Sequence, residues 1–164
     1  NRQSPILFPI VGRIKDSKTE IEGQIYEMSQ HGFARDMKFN QIEENHYVLT
    51  YNEETLKKYP YKFELHVIYQ IIEDTLQVEY QVKNIDNKKI YFGLGGHPAF
   101  SCDYSTGQYE IVFDEKEDKI KFLKLKNGLI DTEKANNILE NNKMHLTANI
   151  FDNDAIIMKN IKST

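Results

Sequence analysis

A single cysteine, Cys102, stands in a chain of 164 residues, so no internal disulfide can form. That scarcity fits a reducing compartment, and the cytoplasm is the expected location. One thiol and five scattered histidines offer no zinc-ligand spacing, so no metal is expected. Basic residues are not in excess: 21 Lys and Arg face 25 Asp and Glu, for a net charge of −4. Without a basic stripe, nucleic acid is not an expected partner. No apolar run approaches the ~20 residues of a bilayer span, so no membrane partner is expected either. Tryptophan is absent, whereas ten Tyr and nine Phe supply the aromatics that suit strands. Gly-rich phosphate loops, nucleophile elbows and heptads are also missing.

What is present is a period of two. Phe63, Leu65, Val67, Tyr69 and Ile71 alternate with Lys62, Glu64, His66, Ile68 and Gln70. Leu76, Val78, Tyr80 and Val82 repeat the pattern, and Glu73-Asp74-Thr75 between the runs is short enough for a hairpin. Residues 89–94, 109–113, 120–125 and 155–159 read as further strands, with Asn127-Gly128 as a turn. Helical pattern is confined to one or two turns near residues 53–58. Residues 133–142 are polar and read as helix or loop. The expected fold is all-β, an antiparallel β-sandwich or an open part of one, forming a single domain over residues 1–164. The chain opens on Asn1 and enters the apolar run 6–11 almost at once, and it closes just after a strand-like segment. A piece of a longer protein is therefore expected.

Two strings place a histidine beside glycine at the end of a strand-like run: Gly95-Gly96-His97-Pro98-Ala99-Phe100 and Gln30-His31-Gly32-Phe33-Ala34-Arg35-Asp36. Gly95-Gly96 lets the backbone bend and Pro98 fixes the exit, which suits His97 to face a cleft. Imidazole gives or takes a proton near neutrality, so His97 is either an acid–base group or a structural histidine bonded to a carbonyl. His31 can hydrogen-bond a hydroxyl, and Arg35 can bind an oxygen or a phosphate or simply pair with Asp36. Arg13 ends the apolar run and points into a pocket or out to water. Asp154, just before a strand, either accepts bonds from hydroxyls or forms a turn, and spacing barely separates it from Asp152. His66 reads as a solvent-face strand residue; His46 and His145 carry no functional expectation.

Several of these stretches resemble the aldose 1-epimerase (galactose mutarotase) superfamily in order and spacing. They are residues 4–13, the His31 string, the two alternating strands and residues 95–100. The nearest likeness is to the branch carrying His-Gly-Phe-Ala-Arg-Asp, some of whose relatives act on hexose phosphates. The resemblance implies a mutarotase-like supersandwich and an isomerase that interconverts α and β anomers of a hexose or hexose phosphate by acid–base ring opening. It implies His97 as the general acid, with Arg13, His31, Arg35 and Asp154 holding the sugar, and no metal or organic cofactor. The family's catalytic glutamate has no match: Glu133 and Glu140 come too early, and its expected place lies beyond Thr164. The alternative is a non-catalytic carbohydrate-binding β-sandwich that uses His31, Arg13 and aromatic residues such as Phe100 to hold a sugar.

Overall fold

The structure, a computed structural model, describes residues 4–163. They divide into two compact units, the first ending at Ala99 and the second beginning at Phe100. All the ladders between strands are antiparallel. Among the described residues no helix is long and apolar enough to cross a membrane.

The first unit contains β1 (Ile6–Leu7), β2 (Lys18–Ile21), β3 (Gln24–Glu27), β4 (Asn40–Glu43), β5 (His46–Thr50), β6 (Phe63–Ile72), β7 (Thr75–Asn84) and β8 (Gly95–Gly96). Its main sheet has the order β4-β5-β6-β7. The two alternating runs form its long hairpin, with Phe63 opposite Asn84 and Ile72 opposite Thr75, joined across Glu73-Asp74. Alternation decides the faces. Phe63, Leu65 and Val67 are fully buried while Glu64, His66 and Ile68 on the other face are half-buried. A second hairpin, β2–β3, turns at Glu22-Gly23, both with positive φ (52° and 79°). That is the backbone twist a two-residue hairpin loop favours.

The core of this unit gathers Phe8, Met28, Phe33, Leu49, Tyr59, Tyr61, Phe63 and Leu65. Phe8 sits at its centre, wholly buried, with ring centroids 4.9 Å from Phe63, 5.8 Å from Tyr59 and 6.2 Å from Phe33. The short α1 (Glu53–Leu56) is capped by Asn52, whose side chain accepts from the Glu54 and Thr55 N–H groups at 2.9 and 3.0 Å.

The expected strand over residues 89–94 does not form; only Gly95–Gly96 pairs. The backbone groups there bond elsewhere: Gly93 N–H donates to the Pro9 carbonyl at 2.7 Å, and the Tyr91 carbonyl accepts from the Tyr59 hydroxyl at 2.9 Å. The segment lies as an irregular strap over the apolar run, with no partner strand among the described residues to complete a ladder.

The second unit contains β9 (Glu110–Val112), β10 (Lys121–Lys126), β11 (Leu129–Lys134), β12 (Lys143–His145) and β13 (Ile157–Lys159). They form the sheets β11-β10-β13 and β12-β9. Asn127-Gly128 makes the β10–β11 turn, both residues with positive φ (54° and 75°). Phe113, Phe122, Met144 and Leu146 form this unit's own core. The start of the 133–142 segment belongs to β11 and is strand, not helix or loop.

Candidate functional site

One apolar segment carries both histidine strings. Ile6 and Leu7 in β1 lie opposite Gly96 and Gly95 in β8, which places His97 at the end of that pairing. The next residue, Phe8, bridges Gly32, and its carbonyl accepts from the N–H groups of Phe33 and Ala34 at 3.0 and 3.2 Å. The buried Phe8 thus anchors the second string immediately after the first. The result is that the His31 and His97 rings pack edge to face, centroids 5.8 Å apart and planes at 82°.

His31 has φ 67°, in the left-handed region. For a residue other than glycine that costs about 1–2 kcal/mol, and the surrounding bonds must sustain it. They do so through Gly12. His31 N–H donates to the Gly12 carbonyl at 2.8 Å, and Gly12 N–H donates to His31 Nδ1 at 3.0 Å. An Nδ1 that accepts a backbone proton leaves the ring proton on Nε2, so this geometry assigns a neutral His31 with Nε2–H as its free donor.

Burial, then the Arg35 charge and His97, hold the His31 pKa below its ordinary 6.5. Between the two values the unfolded chain binds more protons than the folded one, so stability rises with pH. This contribution is complete above pH ~6.5 and is lost on acidification below it. Urea midpoints are expected to fall between pH 7.5 and 5.5, and His31→Gln is expected to flatten that fall. An unchanged slope in the variant would count against the assignment. The carboxylates with lowered values, such as Glu64 and Asp86, lose their contributions only below their ordinary 4.5 and 3.8, so the two windows separate.

Arg13 is exposed, and its guanidinium donates to Gln30 Oε1 at 3.3 Å, which ties it to the residue preceding His31. Arg35 lies in a single 3-10 turn, Ala34–Asp36. Its Nε stands 3.7 Å from Asp36 Oδ2, an ion pair too long for a hydrogen bond. That Nε is buried and has no hydrogen-bond partner among the described residues. His97 is exposed, and among the described residues its ring nitrogens carry no hydrogen bond. The first unit therefore brings His31 and His97 together, with Arg35 near enough to act on His31 and Arg13 linked through Gln30. Asp154 belongs to the second unit, where it is exposed and occupies a turn with φ 78°, its N–H bonded to the Phe151 carbonyl at 2.9 Å.

Two contributors escape a reading by residue type. Gly12 acts through its backbone N–H, and Gln30 acts as the acceptor for Arg13. The only sequence sign of either is position: Gly12 precedes Arg13, and Gln30 precedes His31. Chemically, an Nε2–H donor, an incompletely bonded guanidinium and an imidazole with both nitrogens open suit a ligand rich in hydroxyl oxygens.

Comparison with known proteins places the chain in a family. Two proteins of Lactococcus lactis subsp. lactis, the plasmid and chromosomal forms of Protein LacX, are each 34% identical over 99% of the chain. The chain spans 60% of the length of these curated relatives. Among solved structures, a galactose mutarotase-like protein from Lactobacillus casei superposes with a TM-score of 0.78 at 29% identity, covering 94% of this chain and 56% of that one. A galactose mutarotase related enzyme from Lactobacillus acidophilus gives 0.71 at 28% identity, covering 94% and 54%. The all-β antiparallel fold is thus mutarotase-like. The aldose 1-epimerase family model matches residues 1–160, and with the two histidine strings converging on one apolar segment, the chain belongs to the aldose 1-epimerase family.

Proposed function

We propose that the His31–His97 pair holds an aldose and that His97 delivers a proton to its ring oxygen during interconversion of the anomers. The observation that carries this reading is the edge-to-face packing of the two imidazoles, with His31 held neutral by Gly12. In the reaction the family's glutamate, which has no match among residues 1–164, takes the proton of the C1 hydroxyl while His97 protonates the ring oxygen. The C1–O bond of the ring breaks and a C1 carbonyl forms. Rotation about C1–C2 presents the other carbonyl face, and the same proton transfers run backward as the ring closes. Protons balance over the cycle. The neutral His31 donates from Nε2 to a sugar oxygen without competing for the transferred proton.

Arg35 supports a finer reading, in which the sugar carries a phosphate. Its side chain is partly exposed and its guanidinium makes no hydrogen bond among the described residues, and a phosphate oxygen on the exposed N–H groups would supply one with charge assistance. Titrating aldoses and aldose 6-phosphates into the protein tests both statements. His31→Ala is expected to weaken aldose binding about twofold to thirteenfold, the loss of one net hydrogen bond of about 0.5–1.5 kcal/mol. Arg35→Gln is expected to abolish a preference for the 6-phosphate while leaving free-aldose affinity within about twofold. Equal affinity of the wild type for the two sugars would assign Arg35 to orienting the pocket only.

A further inference from the structure

A second pair of imidazoles lies on the opposite, half-buried face of the main sheet, on residues the sugar site does not use. In the register, His46 in β5 lies opposite Ile68 and Val48 lies opposite His66 in β6, so the two histidines are diagonal neighbours on one face. Their side chains meet: His46 Nε2 stands 3.0 Å from His66 Nδ1, with ring centroids 5.1 Å apart. The other nitrogen of His66, Nε2, lies 3.4 Å from Glu64 Oε2, and Lys83 Nζ holds that same carboxylate oxygen at 3.2 Å. The His66 side chain is only 17% exposed, which limits the rotamers it can adopt.

This order decides the protons. Glu64 accepts from His66 Nε2–H, so His66 Nδ1 keeps its lone pair and accepts from His46 Nε2–H. A carboxylate that fixes the far N–H of a histidine is the outer-shell arrangement that orients metal-ligating imidazoles. The separation of the near nitrogens is informative too. With metal–imidazole bonds of about 2.0–2.1 Å, a nitrogen–nitrogen distance of 3.0 Å subtends about 90–100° at the metal. That is the cis angle of square-planar or octahedral coordination and is narrower than a tetrahedral angle, so the pair suits Ni²⁺ or Cu²⁺ better than Zn²⁺.

We infer that His46 and His66 form a cis bis-imidazole site for a late divalent transition-metal ion, with Glu64 as the residue that positions His66. On binding, the ion replaces the proton between the rings. His46 moves that proton from Nε2 to Nδ1 through solvent, and His66 keeps its own proton on Nε2 against Glu64. Among the described residues no group of three or more His, Cys, Asp or Glu side chains is placed to hold a metal ion directly, so the two imidazoles are joined by water in the coordination shell. The site stands apart from the epimerase reading and needs none of its residues.

Calorimetric titration with Ni²⁺ in a non-coordinating buffer at pH 7.5 tests the inference, with the thermal midpoint as a second readout. The wild type is expected to bind one ion at this site and to gain thermal stability from it. His46→Gln and His66→Gln are each expected to lower the affinity at least tenfold, with circular dichroism confirming that they fold. Glu64→Gln is expected to lower it about tenfold through loss of the outer-shell bond, and His31→Gln, which breaks the rival histidine pair, is expected to leave it unchanged. Absence of Ni²⁺ binding by the folded wild type would overturn the site. So would undiminished binding by both folded glutamine variants, or loss of binding in His31→Gln alone.

Discussion

Replacing His97 with Asn is expected to lower kcat for anomer interconversion about 10²-fold to 10⁴-fold, the range supplied by one well-placed acid–base group. Asparagine retains a hydrogen-bond donor of similar size but cannot hand over a proton near neutral pH. His97 is exposed and makes no hydrogen bond among the described residues, so the substitution removes its edge-to-face contact with His31 and leaves the buried core intact. Sugar affinity should therefore change little while the rate collapses, the pattern of an interaction made mainly in the transition state. Polarimetry of freshly dissolved α-aldoses, corrected for the spontaneous rate, measures it in the gene product. A folded His97→Asn protein that mutarotates like the wild type would remove His97 as the acid. A wild type that binds aldoses without accelerating mutarotation would instead support the carbohydrate-binding alternative.

The second large effect is expected at Gly32. A Cβ there would lie 2.2 Å from the Phe8 carbonyl oxygen, 2.5 Å from its carbon and 2.7 Å from Pro9 N. All three are backbone atoms next to the wholly buried Phe8 ring, so none can swing aside. Gly32 also has φ 72°, which a side chain resists. Gly32→Ala is expected to cost about 3 kcal/mol or more, because overlap and backbone strain add. Gly12→Ala is the matched control: its φ is 83°, yet nothing lies within 4 Å of the new Cβ. It should cost only the strain, about 1–2 kcal/mol. Urea unfolding of both variants separates the two contributions, and equal losses would contradict the close approach of Gly32 to Phe8. Because Gly32 follows His31 directly, the Gly32 variant should also lose aldose binding.

The parts of this architecture that were legible in the sequence are those written in local pattern. The β6–β7 hairpin follows from an alternation that no helix can satisfy, and Asn127-Gly128 announces its turn. His31 and His97 stand out because glycine and proline surround them. The misread strand at residues 89–94 has apolar residues suited to pairing, but its backbone is taken by Pro9 and Tyr59, which only the tertiary fold brings near. The β2–β3 hairpin carries only a faint sequence signal, because Glu22-Gly23 is a weaker turn pair than Asn-Gly. Gly12 holds His31 through a backbone N–H that every non-proline residue possesses, so residue type carries no trace of it. The His46–His66 contact depends on a cross-strand register over 20 positions, and His66 alone looked like a solvent-face residue.

The most direct test of a shared sugar site is the ring-nitrogen NMR spectrum of the histidines, recorded with and without an aldose. Long-range ¹H–¹⁵N correlations report the tautomer of each ring and its response to ligand. The expected result is a His31 that is neutral and Nε2-protonated at pH 7, with the His31 and His97 signals both moving on sugar addition while those of His46 and His66 stay in place. A His31 protonated on Nδ1, or sugar-induced shifts that leave either His31 or His97 unmoved, would contradict the site.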